Sequence, residues 1–208
     1  EKEIWPRESK LTQDDVYWGT KLACLEMIKS GTTTFNEMYW FEEAQIQAVK
    51  EMGLRGMIGL VLLDFLPLGG KEHVEKLYKK LEAKHLEPIT LTIAPHAIYT
   101  VSKENLIWAK NFAKKHKLLI HMHLSETKNE VLECQRKYKM RPVEFLEKIG
   151  FLDKNCIFAH CVWLSDKEIE ILEKRDCNLV YNPTSNMKLA SGVFPWGKIR
   201  KRKINVCL

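Results

Sequence analysis

The chain has 208 residues, of which 45% are hydrophobic, so it can bury a core and a single domain is expected. Its formal charge is +6, but lysines and arginines are interleaved with acidic residues in stretches such as "EKLYKKLEAKH", which is typical of solvated helix faces and argues against a nucleic-acid-binding protein. No apolar run reaches the roughly 18 residues of a membrane helix, and the six cysteines form no CxxC pair, which indicates reduced thiols and a cytoplasmic protein without a membrane partner.

Helical and apolar stretches alternate along the chain. Gly31 closes the first long helical stretch, Ser102 and Ser165 begin two later ones, and Pro142 breaks the longest. The predicted helices cover, in chain order, residues 14–31, 42–53, 71–85, 102–117, the region around Pro142, 165–176 and 193–201. The apolar stretches predicted as strands cover residues 32–37, 54–64, 89–96, 118–126, 156–163, 178–183 and 204–208.

This alternation predicts a parallel sheet, because parallel neighbours are joined by helical crossover connections. Seven strands in strict alternation favour a (β/α)8 TIM barrel over an open nucleotide-binding sheet, and no GxGxxG motif follows the first strand. A closed barrel needs eight strands and typically about 250 residues. We therefore expect one domain over residues 1–208 that is an incomplete barrel, with the second to eighth strands present, the first missing and the chain cut at both ends.

Histidines end three successive predicted strands. His96 closes one, His121 and His123 lie in the next, and His160 lies in the third. A lone histidine on an apolar strand is usually a core residue, but the carboxyl ends of barrel strands carry the active site. Three such strands therefore predict a converging metal or acid–base site. The other polar strand ends are Asn36, Glu37, Asp64 and Asn182, whereas His73, His85 and His116 lie among charges on helices and are expected at the surface.

The segment "IHMHLSE" brings imidazoles and a carboxylate close together in sequence. Neutral imidazoles bind cations such as zinc, which lower the pKa of bound water to near 7. A neighbouring carboxylate can take the proton of that water and pass it to the substrate. Glu126 follows His123 by three residues, so both can face one centre; alternatively, Glu126 caps the following helix together with Thr127. The first alternative predicts metal-assisted hydrolysis.

Four segments in order, "APHAIYT", "IHMHLSET", "FAHCVWLSDKE" and "NPTSNMKLASG", resemble the amidohydrolase superfamily, and within it the branch of 5-methylthioadenosine/S-adenosylhomocysteine deaminases and related aminohydrolases. The resemblance extends from "WPRESKLT" to "INVCL", which is nearly the whole chain. It implies a (β/α)8 barrel with one divalent metal ion per subunit, zinc or alternatively iron. It also implies a reaction in which a metal hydroxide attacks the amino-bearing ring carbon of a purine and ammonia leaves.

The resemblance assigns a role to each matching residue. His123 matches a metal ligand. Glu126 matches the residue that binds the ring and carries protons, and His160 matches a histidine that hydrogen-bonds the hydroxide, so these two are the predicted catalytic residues. His96 and Glu8 match substrate contacts, Glu8 with the ribose hydroxyls; together with Glu126 they are the predicted substrate-binding residues.

Two further parts of the resemblance carry weaker assignments. His121 is given a supporting role only. The "NPTSN" motif, with Asn182, Ser185 and Asn186, is expected at the mouth of the site, although turn chemistry explains it nearly as well.

The sequence departs from the family pattern in two respects. The family takes two metal ligands from a His-x-His motif on its first strand and another from an aspartate after its last strand. We expect the chain to begin after that motif and to end before that aspartate. Of the family's metal ligands, only His123 would then remain. Many members also carry a substrate-contacting arginine where this chain has Leu60, and Lys71 is the candidate substitute.

The sequence therefore predicts a metal-dependent deaminase of an adenosine-type nucleoside or related aminated heterocycle. One alternative is a sister reaction on a guanine, cytosine or triazine ring, and another is a non-catalytic truncated barrel that serves as a scaffold. The expected partners are a small-molecule substrate and further copies of the chain in a homo-oligomer, with no nucleic acid.

Overall fold

Helices and strands alternate in the computed structural model, which describes residues 4–65 and 69–208. The strands of the described residues are β1 Thr34–Glu37, β2 Arg55–Leu62, β3 Ile89–Pro95, β4 Leu119–Leu124, β5 Cys156–His160, β6 Asn178–Val180 and β7 Asn205–Cys207. The helices are α1 Trp5–Glu8, α2 Gln13–Ser30, α3 Glu42–Met52, α4 Lys71–Glu82, α5 Lys103–His116, α6 Lys128–Tyr138, α7 Pro142–Lys148, α8 Asp166–Lys174, α9 Pro183–Lys188 and α10 Trp196–Ile199.

The strands of the described residues lie in one sheet in chain order, from β1 to β7. The pairs β1–β2, β4–β5, β5–β6 and β6–β7 are parallel. Between β4 and β5 the register sets His123 opposite Ala159 and Leu124 opposite His160. Sequential parallel strands joined by helices are the arrangement of a (β/α) barrel. The predicted fold class, an incomplete barrel with seven strands, is therefore confirmed for the described residues.

The backbone divides into two compact units, which are described separately. The first contains the residues up to Leu60 together with Glu72–Thr92. In this unit α2 packs against α3, and Cys24, Ala48 and Val49 are fully buried. The second unit contains Val61–Lys71 and Ile93–Leu208. The prediction of a single domain over the whole chain stays a prediction.

The core of the second unit lies around β4 and β5. Met122, Leu124 and Phe158 in these strands are fully buried, as are Leu146 and Phe151 beside them. Because the strands of a parallel sheet are covered on both faces, their apolar residues run almost continuously along the chain. Polar residues in β4 and at the end of β5 are therefore the positions that packing does not explain.

Most predicted boundaries agree with the structure within two or three residues. Gly31 ends α2 with a left-handed φ of 85°, and the hydroxyls of Ser102 and Ser165 accept hydrogen bonds from the first turns of α5 and α8. Helix α9 was not predicted, because "NPTSN" reads as a turn, but Asn182 is its N-cap and Pro183 occupies its first turn, where a missing N–H costs nothing.

All six cysteines are free. Five are buried, and Cys207 is exposed. It lies in β7, a strand whose central residue is only half-buried. Among the residues that the structure describes, no helix combines the length and the apolar content that a membrane crossing requires.

Candidate functional site

Four histidines of the second unit come together at β3, β4 and β5. His96 follows β3, His121 and His123 lie on one face of β4, and His160 is the last residue of β5. The N–H of His123 donates to the carbonyl oxygen of His96 at 2.9 Å. The centroid of the His123 ring lies 4.9 Å from that of His96, 5.1 Å from that of His160 and 6.1 Å from that of His121. His123 is thus the centre of the cluster, as expected from the sequence.

The imidazoles of His96, His121 and His123 are held in the neutral form. Burial, together with the neighbouring His160, lowers the pKa of His96 and of His121 to about 4. Burial lowers the pKa of His123 well below its usual value, and the three histidines around it lower it further. A neutral imidazole is the form that binds a metal ion or accepts a proton.

Hydrogen bonds fix which ring nitrogen of His96 carries the proton. The Thr100 hydroxyl donates to the carbonyl oxygen of Ala97 at 3.1 Å, so it acts as the acceptor toward His96 Nδ1, 2.8 Å away. The proton of His96 therefore lies on Nδ1, and its Nε2 presents a lone pair. An imidazole oriented in this way can accept a hydrogen bond from a ligand.

His160 is oriented by an amide from α9. Its Nδ1 lies 2.8 Å from Asn186 Oδ1, and an amide oxygen only accepts, so this contact sets the proton of His160 on Nδ1. Nε2 then faces the Glu126 carboxylate, whose Oε2 lies 3.8 Å away. Both side chains are largely buried. The two groups are therefore close enough to contact the same bound molecule.

Glu126 lies beyond the end of β4 and does not cap the next helix. Thr127 is the N-cap of α6, with its hydroxyl accepting from the Glu130 N–H at 3.1 Å. The Glu126 carboxylate instead accepts a hydrogen bond from the Ser191 hydroxyl at 3.2 Å. The alternative that Glu126 is a capping residue was therefore wrong, although its catalytic role stays a prediction.

The segment after α9 supplies residues that the sequence did not single out. Ser191, which binds Glu126, has its own N–H bonded to the Asn186 carbonyl oxygen at 2.9 Å, and its carbonyl oxygen accepts from Trp163 Nε1 at 2.7 Å. Gly192 has φ 129°, and an added Cβ would lie 2.8 Å from Val162. The "LASG" sequence was the available signal, since a buried serine beside an obligatory glycine marks a close approach of the backbone.

The remaining predicted residues lie elsewhere or serve other contacts. Glu8 belongs to the first unit, where its carboxylate accepts from the Tyr39 hydroxyl at 2.8 Å. Asp64 accepts from the Ser102 N–H and from Asn105, each at 2.7 Å, so it holds the start of α5.

Leu60 and Lys71 are the two positions that the sequence analysis considered for a substrate contact. Leu60 is fully buried in β2. Lys71 has its Nζ 5.9 Å from the centroid of the Trp108 ring, which is a cation–π distance.

At the end of β1, Glu37 has its pKa raised by burial, and both polar atoms of the Asn36 side chain are buried without a partner. Both residues lie in the first unit. They were predicted only as polar strand ends.

The histidines of β4 fit part of the ligand set of a metal site. His123 Nδ1 and His121 Nδ1 are buried without a hydrogen-bond partner, as bonding capacity kept for a ligand would be. Within residues 4–65 and 69–208, no group of three or more His, Cys, Asp or Glu side chains is arranged to hold a metal ion by itself. Catalytic zinc sites use three protein ligands, so this chain offers part of such a set.

Comparisons with known proteins agree with this geometry. A family model described as "Amidohydrolase family" matches residues 3–208. A 5-methylthioadenosine/S-adenosylhomocysteine deaminase of Thermodesulfovibrio yellowstonii is 46% identical, over 99% of this chain and 48% of its own length. A 5'-deoxyadenosine deaminase of Methanosphaera stadtmanae is 43% identical, over 99% of this chain and 49% of its own length.

Solved structures give the same result. The crystal structure of an adenosine deaminase from Xanthomonas campestris with bound zinc superposes with a TM-score of 0.91 at 31% identity, covering 99% of this chain and 48% of that one. The chain thus spans about half the length of the relatives that it matches.

Proposed function

This chain belongs to the amidohydrolase family, and from that membership we propose that it is part of a hydrolytic deaminase that acts on an adenosine-type nucleoside. The observation that carries the proposal is the Glu126 carboxylate, which lies 3.8 Å from Nε2 of His160, whose ring centroid is 5.1 Å from that of His123. The deaminase names of the relatives, at 43–46% identity, support the adenosine-type substrate.

Glu126 is proposed as the proton carrier. Its carboxylate accepts the proton of the attacking water while the water oxygen forms a bond to the amino-bearing ring carbon, and it then delivers that proton to the neighbouring ring nitrogen. The hydroxyl now on the ring carbon gives up the second proton of the water to the amino group, which leaves as ammonia while that hydroxyl becomes the carbonyl of the product. The Ser191 hydroxyl binds one carboxylate oxygen, Oε1, so the other, Oε2, is directed toward His160.

His160 is proposed to hold the attacking water. Its Nδ1 is bonded to Asn186, so Nε2 is the ring nitrogen that is proposed to hydrogen-bond that water. His96 has the same orientation through Thr100, so its Nε2 is proposed to accept a hydrogen bond from the substrate. Glu8 is proposed to bind the ribose hydroxyls; its carboxylate also accepts a hydrogen bond from the Tyr39 hydroxyl.

His123 is proposed as a ligand of one divalent metal ion, zinc or alternatively iron. When bound, such an ion makes hydroxide available near neutral pH and polarises the substrate. The neutral imidazole of His123, whose Nδ1 is buried without a hydrogen-bond partner, fits this role. Because one imidazole is too few for a catalytic zinc site, residues outside this chain are proposed to complete the ligand set. A homo-oligomer in the cytoplasm remains part of the proposal.

The test is ammonia release by the protein as it is encoded in its gene, loaded with zinc or iron. The substrates are 5'-deoxyadenosine, methylthioadenosine, S-adenosylhomocysteine and adenosine, with guanine, cytosine and a triazine as competing candidates. We expect ammonia from at least one of the adenosine-type nucleosides, and release slowed by about 10²–10⁴-fold in the Glu126→Gln variant. Ammonia from guanine, cytosine or triazine alone, or from no substrate, would overturn the proposal.

A further inference from the structure

A second carboxylate, Glu130, lies beneath the Glu126 turn and belongs to no part of the proposed reaction. It is in the first turn of α6 and is 3% exposed. Its Oε1 accepts from the Ser125 N–H and its Oε2 accepts from the Glu126 N–H, both at 2.8 Å. One buried carboxylate therefore binds two consecutive backbone amides, one of which belongs to Glu126 itself.

The turn that Glu130 binds has an unusual backbone. Ser125 has φ 49°, in the left-handed region that residues with a side chain rarely occupy. From the opposite side, the Ser125 carbonyl oxygen accepts from the N–H groups of Val162 and Trp163, at 3.1 and 2.9 Å. The turn is thus held through its amides by α6 and through its carbonyl by the residues after β5.

Stability alone does not account for a carboxylate at this position. Burial raises the pKa of Glu130 to about 7, although the N–H groups of Ser125 and Glu126 lower it. Because its pKa is raised, ionisation of Glu130 destabilises the folded protein at pH values above the usual carboxyl pKa. The hydrogen bonds from the Ser125 and Glu126 N–H groups offset part of that cost, so the position of the carboxylate and the backbone of the turn depend on each other.

We propose, on the basis of the proposed function, that Glu130 is a positioning residue for Glu126. It fixes the Ser125–Glu126 turn so that the Glu126 carboxylate keeps its contacts with Ser191 Oγ and His160 Nε2. Glutamine has the same shape but offers one oxygen and one NH2 group, so it accepts from one backbone amide and opposes the other. Glu130→Gln therefore loosens the turn without opening a cavity.

The chain offers a matched control in Glu168. This carboxylate is also fully buried, and it accepts from the N–H groups of Ser165 and Val143, at 2.9 and 3.2 Å. It differs in being paired with Arg141, whose Nε lies 2.6 Å away. Glu168→Gln disturbs a buried carboxylate of the same kind that makes no contact with Glu126. Glu133→Gln, at an exposed position of α6, controls for the loss of charge from that helix.

The experiment is a double-mutant cycle in the zinc-loaded protein as encoded, with kcat, KM, zinc content and thermal midpoint measured for each variant. We expect Glu130→Gln to lower kcat by about 10–100-fold with KM and zinc content almost unchanged. In a Glu126→Gln background the same substitution should cost almost nothing, because Glu130 acts only through Glu126. Glu168→Gln should lower the thermal midpoint and leave kcat close to that of the wild type.

Three outcomes overturn the positioning role: unchanged kcat in Glu130→Gln, a loss of the same size in the Glu126→Gln background, or an equal kcat loss in Glu168→Gln. Amide hydrogen exchange gives a test that does not depend on catalysis. Glu130→Gln should speed exchange at Ser125 and Glu126 relative to Glu133→Gln, and unchanged exchange contradicts the proposal. Absence of ammonia release by the wild-type protein would overturn the proposed function alone, since the exchange measurement still decides the role of Glu130.

Discussion

Polar side chains at the amino ends of β4 and β5 are paired with one another, whereas several of those at the carboxyl ends lack a partner. At the amino ends, Lys110 forms an ion pair with Asp153 at 2.7 Å, and the Asp153 carboxylate also accepts from the Asn155 N–H at 2.9 Å. At the carboxyl ends, His123 is neutral and has a ring nitrogen without a partner, and Glu126 faces His160 across 3.8 Å without a hydrogen bond.

This comparison shows that the unsatisfied hydrogen-bonding groups of the second unit lie at the carboxyl ends of the strands. Its buried, unpartnered side-chain atoms, among the residues that the structure describes, belong to His121, His123, Ser125 and Asn186. All four lie in β4, in the turn that follows it, or in the helix that contacts His160. Since buried polar groups are normally satisfied, a cluster of exceptions at one end indicates a place prepared for a ligand. Substitutions at the carboxyl ends should therefore change activity, and those at the amino ends should change stability.

The largest effect is expected for His123→Ala. This substitution removes a proposed metal ligand, so metal content and ammonia release should be lost together. Metal analysis of the purified protein, with the deaminase assay, measures both. His85→Ala is the matched control, since His85 is an exposed histidine of the first unit, and it should keep both. Full metal content in His123→Ala would remove His123 from the ligand set.

Glu126→Gln should give a large but different effect. The change keeps the size and polarity of the side chain but removes the carboxylate that carries the proton, so kcat should fall by about 10²–10⁴-fold. Metal content should stay at the wild-type level, which separates this variant from His123→Ala. Turnover near the wild-type value with metal bound would mean that Glu126 has no catalytic role.

The smallest effect is expected for Lys110→Met at the amino ends. Losing a partly exposed ion pair should lower the free energy of unfolding by about 0.2–1 kcal/mol at neutral pH, with kcat unchanged. Burial raises the pKa of Asp153, but hydrogen bonds from Lys110 and the Asn155 N–H outweigh it, so the pKa in the folded state lies below 3.8.

The sign of the pH dependence follows from that lowered pKa. The pair stabilises the protein above the unfolded pKa of Asp153, and its contribution is lost as the pH falls through the folded value. Urea unfolding of Lys110→Met and of Lys114→Met, an exposed position on the same helix, should therefore differ at neutral pH and converge in acid. A difference that persists in acid would show that the ion pair is not its source.

The sequence was sufficient for the fold and for the ends of the strands. Continuous apolar runs with helices between them allow few arrangements other than a parallel sheet, and caps such as Gly31 and Ser165 have a local chemical cause. The convergence of His96, His123 and His160 followed from the same pattern, because parallel strands end at the same edge.

What the sequence could not supply were contacts made by backbone groups and by distant segments. Ser191 reaches Glu126 across 65 positions of the chain, and no spacing rule predicts such a pair. Glu130 looked like an ordinary acidic residue in the first turn of a helix; its role depends on the left-handed φ of Ser125, which becomes visible only in coordinates. The partners of Asp64, the Ser102 N–H and the Asn105 side-chain amide, are likewise too far along the chain for a spacing rule to predict.

The pairing of β4 with β5 also limits which insertions and deletions this protein can tolerate in evolution. His121 and His123 share a face of β4 because they are two positions apart, and Leu124 stands opposite His160. A slip of one position would turn Met122 and Leu124 to that face and carry both imidazoles to the other side. A single insertion or deletion within β4 therefore removes both imidazoles from the site. The turn between α6 and α7, around Lys139 and Met140, can lengthen without moving any of these groups.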